Sequence, residues 1–227
     1  FADYPPRIAL EGKAHAWETD LTTYHEKYGH PLWKEHKQRA LESGGHGGMD
    51  YLMNWRLIRC LRAGVPPAFA TLHLDCTKDP APVLDWARET GTPLMGGTSC
   101  RGVLTDGGRA AGALVALVDS GGGYGCALRR FADASGDAAE EAAREATRAA
   151  IAAADRPGER PDLVWLYGTP GQEERALAGI EAVVGPETPI LGGTAADNDV
   201  AGDWFVFADG EVTHSGVAVG VLYPSAR

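Results

Sequence analysis

One pattern in this chain occurs twice. Residues 71–98 and 163–194 both run strand, loop, helix, short strand, and both end in Gly-Gly-Thr. The first copy closes on Thr92-Pro93-Leu94-Met95-Gly96-Gly97-Thr98, the second on Thr188-Pro189-Ile190-Leu191-Gly192-Gly193-Thr194. Two copies indicate a duplicated α/β unit, because a stacked solenoid needs about three or more repeats. This restricts the region to a sheet with helices packed on it.

The neighbouring stretches fit that reading. Phe69–Cys76 reads as a strand, Pro82–Thr90 as a helix and Ala113–Val118 as a strand ended by Asp119-Ser120-Gly121-Gly122-Gly123. Ala138–Ala154 is a helix on intrinsic propensity alone. Glu173–Val184 is a further helix. Trp204–Ala208 and Val217–Tyr223 read as antiparallel strands, with Asp209-Gly210 supplying the chemistry of a tight hairpin. Gly121–Gly125 lacks the lysine and hydroxyl of a phosphate loop and reads as a turn.

Upstream the chain changes character. Residues 1–67 carry nine Lys/Arg against eight Asp/Glu, whereas residues 68–227 carry twelve against twenty-three. Five of the seven histidines lie in the first segment. Glu35–Glu42 reads as a helix stopped by Ser43-Gly44-Gly45, and Met49–Arg62 as a second helix. Pro66-Pro67 cannot continue a helix and marks the boundary. The expected fold is therefore α/β, with the duplicated strand–helix–strand unit in a mixed sheet. A mostly helical segment, residues 1–67, precedes the α/β domain, residues 68–227.

These features exclude several functions. A net charge of −10 argues against nucleic-acid partners. No apolar run reaches the ~20 residues of a membrane-spanning helix. The four cysteines form no Cys-x-x-Cys pair and read as reduced thiols of a cytoplasmic protein. No zincin motif accompanies His25, His30, His36 and His46, so no metal is expected. Neither a Gly-x-Ser-x-Gly elbow nor a Gly-x-Gly-x-x-Gly unit is present, so no catalytic set and no resident cofactor are expected.

The candidate ligand residues are Gly96, Gly97, Thr98, Ser99, Cys100, Gly192, Gly193, Thr194, Asp197 and Asn198. Ligands of α/β sheets sit outside the carboxyl ends of strands, where both Gly-Gly-Thr runs are expected. Glycines expose amide N–H groups, Thr98, Ser99 and Thr194 add hydroxyls, and Asp197 and Asn198 suit an amino group. The other reading of both runs is a tight turn needing positive φ. Cys100 reads as a structural thiol, since no base is placed beside it. Trp165, Tyr167 and Trp204 read as core or pocket wall.

Asp162–Glu174, Pro189–Asn198, Gly216–Ser225 and Pro93–Cys100 together resemble the N-terminal part of the FIST domain, a bacterial sensory module. The resemblance covers about 160 residues as a pattern, without one specific motif. It implies binding of a small ligand, such as an amino acid or a derivative, and relay to a downstream signalling domain. A second FIST half is expected to follow, so the sensing module is expected to be incomplete in this chain.

Residues 1–67 resemble a piece near the C-terminus of the Gfo/Idh/MocA oxidoreductases, in the branch of NAD-dependent α-N-acetylgalactosaminidase-like glycoside hydrolases. Tyr28–Lys34, Gly45–Met53 and Arg56–Pro67 carry the likeness. The resemblance implies sugar oxidation by NAD, which requires a dinucleotide-binding domain not found in these 227 residues. His46 and Asp50 would then face the sugar. Alternatively, His46 bonds a carbonyl and Asp50 caps a helix. A chain starting at Phe1 rather than Met is expected to be a composite or fragment, with an inactive remnant as a further alternative.

Overall fold

In a computed structural model the structure describes residues 8–9, 17–43, 48, 51–52, 55, 59, 62–105 and 108–225. The chain forms two compact units, Phe1–Arg59 and Cys60–Arg227.

The first unit holds an antiparallel pair of two-residue strands, β1 (Ile8–Ala9) and β2 (Trp17–Glu18), then helices α1 (Thr22–Tyr28) and α2 (Pro31–Ser43). Helix α2 starts earlier than the sequence suggests. Pro31 suits the first helical position, and the His30 imidazole Nδ1 accepts the Leu32 N–H at 3.2 Å. His36 and Ala40 are its buried residues. The His36 ring lies 4.1 Å from that of Trp55 and 6.1 Å from that of Tyr51, so this histidine packs among aromatics.

The second unit adds, in chain order, β3 (Phe69–Asp75), α3 (Ala81–Thr90), β4 (Leu94–Ser99), β5 (Val103–Thr105), β6 (Gly108–Ala110), β7 (Gly112–Leu117) and β8 (Gly123–Arg130). It continues with α4 (Gly136–Ala153), β9 (Leu163–Gly168), α5 (Glu173–Val184), β10 (Ile190–Thr194), β11 (Val206–Ala208), β12 (Glu211–Thr213) and β13 (Gly216–Tyr223). One sheet is ordered β12-β11-β4-β3-β7 and the other β10-β9-β13-β8. A short β5-β6 pair stands apart. Each large sheet is mixed and contains one parallel pair, β3 with β4 or β9 with β10. The two copies of the repeat are thus split, one per sheet.

The sheets stack face to face. Phe69, Met95, Tyr124, Cys126, Tyr167, Val206, Ala218 and Leu222 fill the space between them. Helix α3 covers the outer face of the five-stranded sheet with Leu84 and Ala87 against Ala70, Leu72 and Phe207. Helices α4 and α5 cover the outer face of the other. Each fully buried Val, Leu or Phe contributes ~1.5–3 kcal/mol. Strand β13 is buried along its whole length because it lies between β8 and β9 with side chains packed on both faces.

Helix α4 buries Ala139, Ala142, Ala143, Ala146, Thr147 and Ala150, a stripe at helical spacing. The Ser135 hydroxyl caps it by accepting the Ala138 N–H at 3.2 Å. The small stripe lets the helix lie against β8, where a Cβ on Gly125 would stand 2.6 Å from the Ala154 nitrogen and also strike the Ala150 carbonyl oxygen. The stretch read as a glycine turn therefore continues into strand β8.

The hairpin is also reassigned. Asp209 (φ +50°) and Gly210 (φ +80°) make the expected tight turn, but its second strand is β12, while β13 crosses to the other sheet. Among the described residues no helix is long and apolar enough to cross a membrane.

Candidate functional site

Both repeat copies send the carboxyl ends of their parallel strands to the same end of the sandwich. The link is the segment after β10. The Ala195 N–H donates to the Gly168 carbonyl at 2.8 Å, and the Ala196 N–H to the Thr98 carbonyl at 2.9 Å. Segment 195–196 therefore stitches the end of β9 to the end of β4.

The two Gly-Gly-Thr runs are strand residues, not loops. Thr98 is 3% exposed and fully engaged: its N–H donates to the Phe205 carbonyl at 3.0 Å and its hydroxyl accepts the Phe205 N–H at 3.1 Å. A Cβ on Gly96 would lie 2.5 Å from the Phe207 ring, and one on Gly97 3.2 Å from the Tyr167 ring. Gly96 and Gly97 are thus set by close approach. Only Gly192 has positive φ, +140°, which would direct a Cβ at the Leu166 backbone.

Around the end of β4 lies a polar cluster. The Asn198 amide donates to Asp75 Oδ1 at 3.3 Å, and its oxygen accepts the Arg101 N–H at 2.5 Å. Asp75 also accepts the Thr77 N–H at 2.9 Å and hydroxyl at 2.7 Å, contacts that hold its carboxyl below the usual range. The Ser99 hydroxyl donates to the Gly102 carbonyl at 2.9 Å, and Cys100 is exposed. Burial pushes the neighbouring Cys76 thiol up.

Asp197 has a structural occupation. It is 6% exposed, and its carboxylate accepts N–H groups from Gly202 at 2.6 Å, Val200 at 2.7 Å and Asp203 at 3.1 Å. Burial opposes its ionisation, but these donors outweigh that and lower its pKa. The wrapped loop holds Val200 at φ +60° with its side chain 87% exposed.

Gly192, Gly193 and Thr194 lie apart from this cluster, on edge strand β10. They line a cavity of about 300 Å³ with Gln172 and Glu173 at the start of α5. The Thr194 hydroxyl donates to Glu173 Oε1 at 3.1 Å. The structure thus brings Thr98, Ser99, Cys100 and Asn198 together beside Asp75 and Arg101, and places the second Gly-Gly-Thr run in a separate cavity. His46 and Asp50 lie outside the described residues.

A third constellation was not picked out from the sequence. On β3, Thr71 and His73 point between the sheets; on β9, Trp165 and Tyr167 do the same. The Tyr167 hydroxyl stands 2.6 Å from His73 Nε2, and the rings meet edge-on at 5.2 Å. Burial lowers the His73 pKa and raises that of Tyr167, so both are neutral near pH 7. The Trp165 N–H and Thr71 hydroxyl act on the phenol oxygen, against that rise, yet neither closes a hydrogen bond within the protein. The available signal was period-two spacing, which put 71 with 73 and 165 with 167.

The described residues of the first unit do not fit NAD. Their strands β1 and β2 are antiparallel and two residues long, whereas a dinucleotide seat needs a parallel strand–helix–strand unit.

The FIST N domain family model matches residues 69–227, and the model of the glycosyl hydrolase 109 C-terminal domain matches residues 1–75. The chain is 51% identical over 70 residues to a glycosyl hydrolase family 109 protein of Shewanella amazonensis, covering 29% of this chain and 15% of that protein. It is 45% identical over 83 residues to one of Solibacter usitatus, covering 37% and 19%. It is 46% identical over 69 residues to the alpha-N-acetylgalactosaminidase of Shewanella oneidensis, covering 28% and 15%. The chain spans less than a fifth of the length of these relatives.

Proposed function

Since the chain belongs to the FIST N domain family through residues 69–227, we propose that it is a small-molecule sensing module of a bacterial signalling protein, working in the cytoplasm. Its ligand on this reading is an amino acid or a derivative, and its output passes to a separate signalling domain. The supporting observation is the meeting of both copies' strand ends beside Asp75, Asn198 and Arg101. Asp75, ionised and near the surface, suits an ammonium group, while the Asn198 amide and the backbone N–H groups suit a carboxylate.

The test is thermal unfolding of the whole chain with a panel of amino acids, N-acetylated sugars and NAD. A ligand that binds only the native state raises the midpoint, by about 2.7 kcal/mol of stabilisation at a hundredfold excess over Kd. An amino acid should raise it in the parent chain but not in Asn198→Ala. Equal shifts in both would remove the ligand from this cluster.

A second reading rests on the match of residues 1–75 to the glycosyl hydrolase 109 C-terminal domain. On it, the segment derives from a sugar-active, NAD-dependent enzyme, with His46 and Asp50 facing the sugar. Activity on N-acetylgalactosaminides should then appear only when a dinucleotide-binding domain is supplied. A folded full-length version that remains inactive would rule it out.

A further inference from the structure

A void lies under the start of α5. Gly168, the last residue of β9, shares the strand face of Val164 and Leu166, which pack toward helices α4 and α5. It is buried, yet a Cβ added to it would meet nothing within 4 Å, and its φ is not positive. Every other buried glycine among the described residues would bring its Cβ within 4 Å of another atom. Protein interiors are close-packed, so missing side-chain volume beside buried backbone is a departure. The space is part of the cavity of about 300 Å³ that Gly192 and Gly193 also line. Phe131, Leu166, Ala176, Leu177 and Ile190 give it apolar walls.

Among the described residues one charged side chain lines this cavity, Glu173. Its carboxylate accepts the Gly171 N–H at 3.1 Å on each oxygen and the Thr194 hydroxyl at 3.1 Å on Oε1. The backbone N–H groups of Glu173 itself and of Gly171 hold its carboxyl below the usual range, so it is ionised at neutral pH. Among the described residues no basic group pairs with it. The neighbouring polar groups are engaged. The Thr169 hydroxyl donates to the Gly216 carbonyl at 3.2 Å and accepts the Gly216 N–H at 3.0 Å, and the Gln172 amide donates to the Ala134 carbonyl at 3.0 Å. An ionised carboxylate has about four acceptor sites, so Oε2 keeps capacity for a further donor. The start of α5, where an anion is ordinarily favoured, is already held by a negative side chain.

We infer that this cavity binds a small primary amine, with its ammonium group on the Glu173 carboxylate and a short apolar body in the space beside Gly168. The polar set selects the sign of the charge. An ammonium supplies the two things Glu173 lacks, a donor for Oε2 and a positive partner. An anion would face Glu173 across a largely apolar cavity, where repulsion and desolvation both oppose it. A free amino acid carries such an anion beside its amino group, and the amine left when its carboxyl group is removed does not. The ligand class is therefore the decarboxylated amine and not the parent amino acid. The apolar walls exclude a wholly polar cation, since its body would lose water without gaining a partner. This site is separate from the Asp75–Asn198 cluster, and the assignment stands whether or not an amino acid binds there.

The test uses isoamylamine as the probe on the ¹⁵N-labelled full chain, followed by NMR at the backbone amides of Gly168, Gly193 and Thr194. Isoamylamine is leucine without its carboxyl group, and isocaproate is leucine without its amino group. The amine should move these amides saturably, and leucine and isocaproate should each bind at least about tenfold more weakly. Glu173→Gln keeps the shape and the acceptor for Thr194 but removes the charge, and should weaken the amine by about tenfold, the worth of a hydrogen bond to a charged group. Gly168→Val fills the void from a strand position that valine suits and should abolish binding. Glu173→Gln decides the matter should the valine variant fail to fold. Asn198→Ala should bind the amine as the parent does. The proposal is overturned if isoamylamine moves none of the three amides saturably, if leucine or isocaproate binds equally well, if Glu173→Gln or a folded Gly168→Val binds as the parent does, or if Asn198→Ala loses the binding.

Discussion

Gly192 and Gly193 are adjacent in one strand, yet replacing them should have opposite consequences. At Gly192 an alanine meets two obstacles. Its φ of +140° lies where L residues carry about 1–3 kcal/mol of strain. Its Cβ would stand 2.7 Å from the Leu166 carbonyl carbon and 2.8 Å from the Leu166 nitrogen, backbone atoms of β9 that cannot rotate away. Relieving that overlap means spreading β9 from β10, an overpacking cost of about 1–3 kcal/mol. Together these give about 4 kcal/mol, and at ~2–4 °C per kcal/mol for a unit of this size the midpoint falls by ~8–16 °C. At Gly193 nothing lies within 4 Å of the added Cβ and φ is not positive. There alanine restricts mainly the unfolded chain and leaves stability unchanged or raised by about 0.4–1 kcal/mol. Scanning calorimetry of Gly192→Ala and Gly193→Ala, read on the transition of the Cys60–Arg227 unit, checks this. Midpoints within about 2 °C of each other would refute the reasoning, because the two sites would then share one backbone environment.

Three further outcomes follow from the same geometry. His73 has a lowered pKa in the folded state, so the unfolded chain takes up its proton first and stability falls as pH drops through ~6.5; melting midpoints at pH 7.5 and 5.5 should differ less in His73→Gln than in the parent. Asp197 also has a lowered pKa, so its support for the 197–203 loop is present above ~3.9 and lost as pH falls through the lower folded value; Asp197→Ala should speed amide exchange at Val200, Gly202 and Asp203, and unchanged protection would contradict the capping role. Burial pushes the Cys126 thiol up to about 12, whereas Cys100 is exposed; a thiol reagent at neutral pH should label Cys100 in the native chain and Cys126 only after unfolding.

The repeat in the sequence identified the two parallel strand–helix–strand units, because strand, helix and strand lie close together along the chain and depend on local pattern. The Ala-rich helix α4 and the Asp209-Gly210 turn were legible for the same reason. Strand β8 was not. Its glycines serve a helix lying against Gly125, a tertiary fact that looks locally like a turn. The partner of β11 was misread because β12 has only three residues, while β13 has the stronger strand pattern. Of the candidate ligand residues, Thr98 and Asp197 have their polar atoms committed to the backbone of segment 197–205, which a sequence cannot show. Trp165 and Tyr167 read correctly as core or pocket wall, but the pairing of Tyr167 with His73, 94 residues apart, depends on how two sheets stack.

The place of β13 has a consequence for how the chain is made. Among the described strands it comes last in sequence, yet it is an inner strand of its sheet and the direct neighbour of both β8 and β9. During synthesis β8 leaves the ribosome roughly 100 residues before β13, a delay on the order of 5–20 s at ~5–20 residues per second. Until β13 arrives, the inner edge of β8, and later that of β9, has no strand beside it, and the alanine stripe of α4 has only part of a sheet to cover. Vectorial synthesis therefore leaves this sheet unfinished until the final strand is inserted between two older ones, and the nascent chain needs protection from pairing with its neighbours on the same message.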